Sequence, residues 1–204
     1  MLILGIDPGS VVTGYGLVES APRRFRLIDS GVIRPDPKLP FAKRLLQIYD
    51  DLLTLIADRT PDEVALESVF YGENVQTMMK MCHARGVIVL AVVNSDRPLS
   101  EYTPAEVKRA VVGTGAASKE QVRFMVQQIL GLPTLDGPYD TTDAIAIALC
   151  HSHRRTESAL SSHRKNNLEE KLRQMGAYDR KNKLSDKLKA LKVQRAKCKA
   201  PSAK

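Results

Sequence analysis

Short apolar runs separated by turn residues open the chain and predict three β-strands. The first run covers residues 2–6 and stops at Asp7-Pro8-Gly9-Ser10, a combination typical of a tight turn. Two further strands are predicted at 14–18 and from 25 to 33. Because the connections between these runs are short, they favour an antiparallel meander.

After Pro40 the apolar positions recur every three or four residues, which is the spacing of a helix packed on a core. Further on, Ser118 with Gln121 three residues later fits a helix-capping box. Strands followed by alternating strands and helices predict an α/β domain with a mixed sheet. The elements predicted after Pro40 are, in order, helix 41–56 closed by Pro61, strand 64–69, helix 75–93, strand 98–102, and helices 104–111, 122–130 and 144–150.

Charge divides the 204 residues into two unequal parts. Residues 154–204 hold 16 Lys and Arg against 5 Asp and Glu, whereas residues 1–153 hold 15 against 18. We therefore predict a domain over residues 1–156 and a basic tail over 157–204 that is disordered or marginally helical. A basic tail favours polyanionic partners, nucleic acid above all, although many Lys-rich tails are simply solvated.

Composition narrows the class of protein. With 43% hydrophobic and 26% charged residues, the chain is expected to be neither disordered nor fibrous. No apolar run reaches the roughly 18 residues of a membrane span, and we expect no secretory signal. The three cysteines are odd in number and far apart, which argues against a disulfide framework and predicts a reducing, cytoplasmic compartment.

Four acidic residues lie within or directly beside apolar runs of the sequence. An isolated buried carboxylate is unfavourable unless it is paired or binds a metal ion, and no Lys or Arg occurs in residues 1–22 or 60–79. Carboxylates that converge without a cation suit Mg²⁺ or Mn²⁺, and two such ions about 4 Å apart support phosphodiester hydrolysis. The four candidates are Asp7 at the end of the first strand, Glu67 within the fourth, and Asp140 and Asp143 one turn apart at the start of the last helix.

Three of these acids also have an ordinary structural explanation. Asp140 is a suitable helix N-cap, Asp143 complements the helix dipole, and Asp7 is a common turn former. Glu67 is harder to explain, because the centre of a buried strand rarely holds an acid. Cys150-His151-Ser152-His153 fits no usual zinc spacing, so these histidines are predicted to end the last helix.

Four ordered blocks, running collinearly over about residues 2–153, resemble the RuvC family of Holliday-junction resolvases. The first block is Gly5-Ile6-Asp7-Pro8-Gly9-Ser10 with Thr13-Gly14-Tyr15-Gly16. The others are Ala65-Leu66-Glu67-Ser68-Val69-Phe70 with Asn74 and Ala84-Arg85-Gly86-Val87, then Glu101-Tyr102-Thr103-Pro104 on to Val122, and finally Asp140-Thr141-Thr142-Asp143-Ala144-Ile145-Ala146-Ile147-Ala148.

The resemblance implies a ribonuclease-H-like fold, a mixed five-stranded sheet flanked by helices, in a homodimer. It also implies a Mg²⁺-dependent endonuclease, with Mn²⁺ able to substitute, that nicks two opposed strands of a four-way DNA junction in recombination and repair. A branch-migration motor is the implied partner complex. By position, the family's catalytic, metal-binding acids correspond to Asp7, Glu67, Asp140 and Asp143. The family's aromatic at opened base pairs corresponds to Phe70, and its residues that contact DNA or the reacting phosphate correspond to Lys108 and Lys119. The family's dimer helix corresponds to helix 75–93.

Two other functions fit parts of the pattern. An actin-like or sugar-kinase-like ATPase also opens with a strand, an acid and a Gly-Ser turn, but it needs a second domain that roughly 150 residues cannot supply. A junction-binding protein without nuclease activity would keep Phe70 and the lysines but would not need every acid. The presence of all four acids favours the enzyme.

Overall fold

The computed structural model describes residues 1–22, 24–68 and 74–174, and of residues 157–174 the backbone alone. The chain divides into two compact units, Met1–Arg155 and Thr156–Lys204. In chain order the elements are β1 (Leu2–Asp7), β2 (Thr13–Ala21), β3 (Arg24–Ile33), α1 (Phe41–Arg59), β4 (Glu63–Glu67), α2 (Val75–Asn94), β5 (Leu99–Tyr102), α3 (Pro104–Val112), α4 (Lys119–Leu130) and α5 (Tyr139–Gln174).

The five strands form one mixed sheet in the order β3-β2-β1-β4-β5. β1, β2 and β3 make the expected antiparallel meander, while β4 runs parallel to β1 and β5 runs parallel to β4. β4 ends at Glu67, two residues before the predicted end, and the Ser68 amide donates to the Tyr102 carbonyl at 2.8 Å. The predicted α/β fold with a mixed five-stranded sheet is confirmed.

Along each strand, successive side chains point to opposite faces of the sheet, so each strand contributes residues to two separate cores. Leu4 and Ile6 of β1 pack in the core formed with α1 and α2. Ile3 packs in the core formed with α3, α4 and α5. Helices cover both faces of the sheet, which explains why the central strand β1 carries no polar side chain before Asp7.

Local signals fix where several helices begin. Asn74 caps α2 by accepting a hydrogen bond from the amide of Thr77. The box predicted at Ser118 is present, since its hydroxyl accepts from the Gln121 amide and the Gln121 side chain accepts from the Ser118 amide. Thr103 forms a second box at the start of α3.

α5 is longer than its apolar pattern predicts. Its backbone continues to Gln174, whereas the pattern predicts a helix that ends near residue 150. No Gly or Pro occurs between residues 139 and 174, so nothing in the backbone chemistry stops the helix where its apolar stretch ends. The remainder of the predicted tail, residues 175–204, lies outside the described residues.

The two histidines lie inside α5, so the prediction that they end it is wrong. His151 is buried and its ring nitrogens hydrogen-bond to the Tyr102 hydroxyl and the Glu63 carboxylate, each at 2.7 Å. Burial lowers the pKa of His151, which favours a neutral imidazole in this chain of hydrogen bonds. His153 contacts the Ala110 carbonyl at 3.2 Å. These contacts tie α5 to β4, β5 and α3.

The described helices include none that combines the length and the apolar character needed to span a membrane.

Candidate active site

β1 and β4 end side by side, and each ends in an acid. Asp7 is the last residue of β1 and Glu67 the last of β4. The two strands are parallel and pair Ile6 with Leu66, so the residues that follow emerge at the same edge of the sheet. A hydrogen bond joins the two carboxyl groups. The structure therefore brings together two acids that are far apart in sequence.

The first turn of α5 lies directly on the sheet because glycines beneath it have no side chains. A Cβ at Gly14 would stand 2.1 Å from the backbone oxygen of Asp140, and one at Gly5 would stand 2.1 Å from the backbone oxygen of Ala144. A Cβ at Gly16 would stand 2.6 Å from the side chain of Ile145 and 2.8 Å from its backbone. This backbone-to-backbone approach is available only to glycine.

The close approach carries the acids of α5 to the sheet edge. Asp140 lies in the first turn of the helix and Asp143 three residues further on, and both raise the pKa of Asp7 electrostatically. The other three predicted acids thus all act on Asp7, although the four come from three separate stretches of the chain.

Burial and repulsion between the acids affect the pKa values of Asp7 and Glu67, the two acids at the strand ends. Burial, then the charges of Glu67, Asp143 and Asp140, raise the pKa of Asp7 to about 8. Burial also raises the pKa of Glu67, while its hydrogen bond with Asp7 and the nearby lysines oppose that rise. Without a cation, the site therefore retains a proton near neutral pH.

Both predicted lysines reach this site. The ammonium of Lys119 lies 3.1 Å from Oδ2 of Asp143. Burial lowers the pKa of Lys119, but the hydrogen bond and charge of Asp143, with Asp7 and Asp140, outweigh it and leave that pKa raised. The charge of Lys108 acts on Glu67 and lowers the pKa of that carboxyl group.

The donor set fits a hard divalent cation. All four acids offer carboxylate oxygens, the ligands that Mg²⁺ and Mn²⁺ prefer. Burial, and then the charges of the neighbouring acids, raise the pKa of Asp7, and a bound cation would favour its charged form. Within the described ranges, no three His, Cys, Asp or Glu side chains stand ready to coordinate an ion. Asp7 is hydrogen-bonded to Glu67, and Asp143 is ion-paired with Lys119. Binding of an ion by these carboxylates therefore requires both contacts to break.

Sequence reasoning missed a cluster beside the site. Tyr139, the first residue of α5, lies against Arg123 and Lys119 of α4. Arg123 also donates to the Gly137 carbonyl at 2.8 Å and to the Thr142 hydroxyl at 3.2 Å. The available signals were the position of Tyr139 next to Asp140 and the four-residue spacing of Lys119 and Arg123 on one helix face. Phe70, a predicted nucleic-acid contact, lies outside the described residues.

Comparisons with known proteins agree with this geometry. Residues 3–151 match the family described as crossover junction endodeoxyribonuclease RuvC. The chain is 47% identical over 156 residues, 76% of its length and 95% of the relative's, to crossover junction endodeoxyribonuclease RuvC of Pelotomaculum thermopropionicum.

Solved structures show the same likeness. The structure of Thermus thermophilus RuvC in complex with a Holliday junction substrate matches with a TM-score of 0.73 and 33% identity, over 78% of this chain and 96% of that chain. The yeast mitochondrial Holliday junction resolvase Ydc2 shares the fold, with a TM-score of 0.57 and 13% identity over 74% of this chain and 77% of that one. The predicted ribonuclease-H-like fold is confirmed.

Proposed function

The chain belongs to the RuvC family of crossover junction endodeoxyribonucleases, and we propose that it resolves four-way DNA junctions by metal-dependent hydrolysis of paired phosphodiester bonds. One observation carries the proposal. The acids at the ends of β1 and β4 lie within electrostatic reach of the two acids at the start of α5, and the ammonium of Lys119 contacts one of these, Asp143. A cluster of carboxylates flanked by cations suits the cleavage of a phosphodiester.

We assign the metal-binding and catalytic role to the four acids Asp7, Glu67, Asp140 and Asp143. The family works with divalent metal ions, and we propose Mg²⁺ here, with Mn²⁺ able to substitute because both are hard cations that bind oxygen. When bound, such ions activate a water molecule and stabilise the leaving oxygen. The acids themselves supply the oxygen ligands and the negative field that holds the ions.

The lysines act on the substrate in this proposal. Lys119 is paired with Asp143 in the structure, and cations that neutralise the acids would release its ammonium to a phosphate oxygen. The charge of Lys108 acts on Glu67 of the same site. Phe70 follows β4 closely in sequence and is proposed to stack on bases at the opened junction, since an aromatic ring stacks on any unpaired base.

A homodimer would present two such sites, as cutting of two opposed strands requires. α2 supports this part of the proposal. Its inner face packs on the sheet, while its outer face carries an apolar stripe at helical spacing, of which Val75, Met79, Leu90 and Val93 are 53–61% exposed. Cys82 and Gly86 lie on the same stripe. A helix that is apolar on both sides is stable when both sides are covered, and a second copy covers the outer side.

The basic tail is proposed to add affinity for DNA without selecting junctions. It brings positive charge to an otherwise slightly acidic chain, and contacts with phosphates make binding dependent on salt. Deleting residues 157–204 should weaken binding and flatten its dependence on salt while selectivity for junctions over duplex is kept. Loss of selectivity would show instead that the tail recognises the junction.

Two remaining parts of the proposal concern the setting of the reaction. By family likeness, a branch-migration motor is the proposed partner that delivers junctions. The cytoplasm is the proposed compartment, on the ground of three cysteines that are odd in number and widely spaced.

Cleavage of a synthetic four-way junction tests the proposed function. The protein and its Glu67→Gln variant are incubated with the junction or with a linear duplex of the same sequence, with and without Mg²⁺. We expect symmetric nicks in the junction alone, only with Mg²⁺ and only with the unmodified protein. Junction binding without cleavage under every condition would instead support the non-catalytic alternative.

A further inference from the structure

The side chain of Tyr139 stands between two cations of α4. The guanidinium carbon of Arg123 lies 4.2 Å from the centre of its ring, and the ammonium nitrogen of Lys119 lies 5.7 Å from the same point. Both distances are within the range of cation–π attraction. The phenol hydroxyl donates to Oε1 of Glu120 at 3.3 Å. The start of α5 is therefore fastened to the first turns of α4 through one aromatic ring.

The ring is held from several sides. Arg123 cannot swing away easily, because its guanidinium also donates to the Gly137 carbonyl and to the Thr142 hydroxyl. Glu120 fixes the far end of the phenol. Tyr139 is 36% exposed, so one part of the ring faces water, while its contacts fix its orientation.

The Lys119 side chain depends on a contact such as the Tyr139 ring to keep its position. Its side chain is 60% exposed and its only described ion pair is with Asp143. A single exposed ion pair holds a long, flexible side chain weakly, because ordering the side chain opposes the attraction. The pair also weakens when a divalent cation competes for Asp143. The uncharged ring of Tyr139 remains a partner for the ammonium throughout, since metal ions do not compete for it.

We infer that Tyr139 is a positioning residue that keeps the Lys119 ammonium at the acid cluster, where it meets the reacting phosphate. Through Lys119, this role rests on the function proposed above. Tyr139 itself has no contact with the reacting atoms in this scheme. Its contribution comes from the face of the ring and not from the hydroxyl group.

Four variants test this role in single-turnover cleavage of a four-way junction at saturating enzyme and Mg²⁺. They are Tyr139→Leu, Tyr139→Phe, Lys119→Met and the double variant Tyr139→Leu/Lys119→Met. We expect Tyr139→Leu to slow cleavage about tenfold, an effect equivalent to about 1.4 kcal/mol, and Tyr139→Phe to restore most of that loss. Because Tyr139 acts through Lys119, the double variant should be no slower than Lys119→Met alone.

Two outcomes would overturn the inference. Equal losses in Tyr139→Phe and Tyr139→Leu would assign the effect to the hydroxyl group, and additive losses in the double variant would assign Tyr139 a role independent of Lys119. Thermal unfolding of each variant separates these from simple loss of structure, and Tyr139→Gln replaces Tyr139→Leu if the latter unfolds. Failure of the unmodified protein to cut any junction would instead refute the proposed function.

Discussion

Two apolar helices, α2 and α5, cover opposite faces of the sheet and differ in what surrounds them. Residues 144–150 of α5 are fully buried by this chain. α2 buries one side and leaves an apolar stripe on the other. Similar composition therefore has two consequences. On α5 it packs a helix against the sheet and so positions acids, and on α2 it leaves an exposed surface, to which we assign the proposed second copy.

Two glycines, one beside each helix surface, differ in the same way as the helices. Gly14 lies under α5, where an added Cβ would meet the backbone of Asp140. Gly86 lies on the outer side of α2, and among the described residues no heavy atom comes within 4 Å of where its Cβ would stand. One glycine is required by a contact within the chain, whereas the other is open to solvent and lies on the proposed dimer surface.

The largest effect is expected from Gly14→Ala. The new methyl group would stand 2.1 Å from the Asp140 oxygen, so the start of α5 must move off the sheet and carry its acids with it. We expect junction cleavage to fall about 100-fold, since a shift of roughly 1 Å has that effect on a catalytic site. Overpacking should also lower the free energy of unfolding by about 1–3 kcal/mol. Single-turnover rates and denaturant unfolding measure the two effects.

Gly115→Ala is the matched control for that change. Its nearest neighbour would lie 3.4 Å away, which is ordinary contact, so both properties should stay close to those of the unmodified protein. Full cleavage by Gly14→Ala would show that the contact between α5 and the sheet does not position the acids.

The next effect concerns the outer side of α2. Leu90→Glu places a charge where a second copy would bury it, and we expect self-association to weaken at least about 100-fold. Sedimentation equilibrium gives the dimer constant, and the junction assay should show loss of paired nicking. Gln76→Glu adds the same charge at an exposed position outside the stripe and should leave the dimer intact. A Leu90→Glu protein that remains dimeric would place the interface elsewhere.

A smaller effect concerns pH and the metal-free protein. The pKa of Asp7 is raised to about 8 in the folded state, so between its ordinary value of 3.8 and that value the folded state holds a proton that the unfolded state has released. Stability from this group is complete below that lower value and is lost as pH rises towards 8, by at most about 1.4 kcal/mol per pH unit.

Denaturant unfolding from pH 4 to 8 in the presence of a chelator measures this slope. Asp7→Asn cannot lose a proton and should flatten it. The same experiment with Glu19→Gln, an exposed acid paired with Arg26, is the control and should keep the slope. An unchanged slope in Asp7→Asn would assign the titration to another group.

The smallest expected effect belongs to Gly86→Ala. In a monomeric Leu90→Glu background, alanine should raise the free energy of unfolding by about 0.5–1 kcal/mol, because glycine is unfavourable inside a helix. In the otherwise unmodified protein it should at the same time weaken self-association if the two copies approach closely at this glycine. Comparing the two backgrounds shows whether Gly86 serves the helix or the interface.

Most elements of the fold follow from local pattern. The strands are short apolar runs, the box at Ser118 marks α4, and the change of spacing after Pro40 marks α1. The length of α5 does not follow, because apolar periodicity reports where a helix packs, and the backbone remains helical through polar residues that contain no breaker.

The site could be predicted only in part. Asp7, Glu67, Asp140 and Asp143 stand out because their charge conflicts with apolar surroundings, and the structure brings them together. The pairing of Lys119 with Asp143 across 24 residues has no local signal, nor does the ring of Tyr139 between two cations. Such contacts depend on how α4 and α5 meet, which is a property of the packed domain.

The order of the elements along the chain has a consequence for biosynthesis. α5 follows all five strands, and it supplies two of the four acids. A nascent polypeptide leaving the ribosome can pair its strands before the last helix emerges. Until that helix docks on the glycines, the growing chain holds only two of the four acids to which we assign metal binding, so we expect newly made molecules to be inert towards DNA until their synthesis has passed this point.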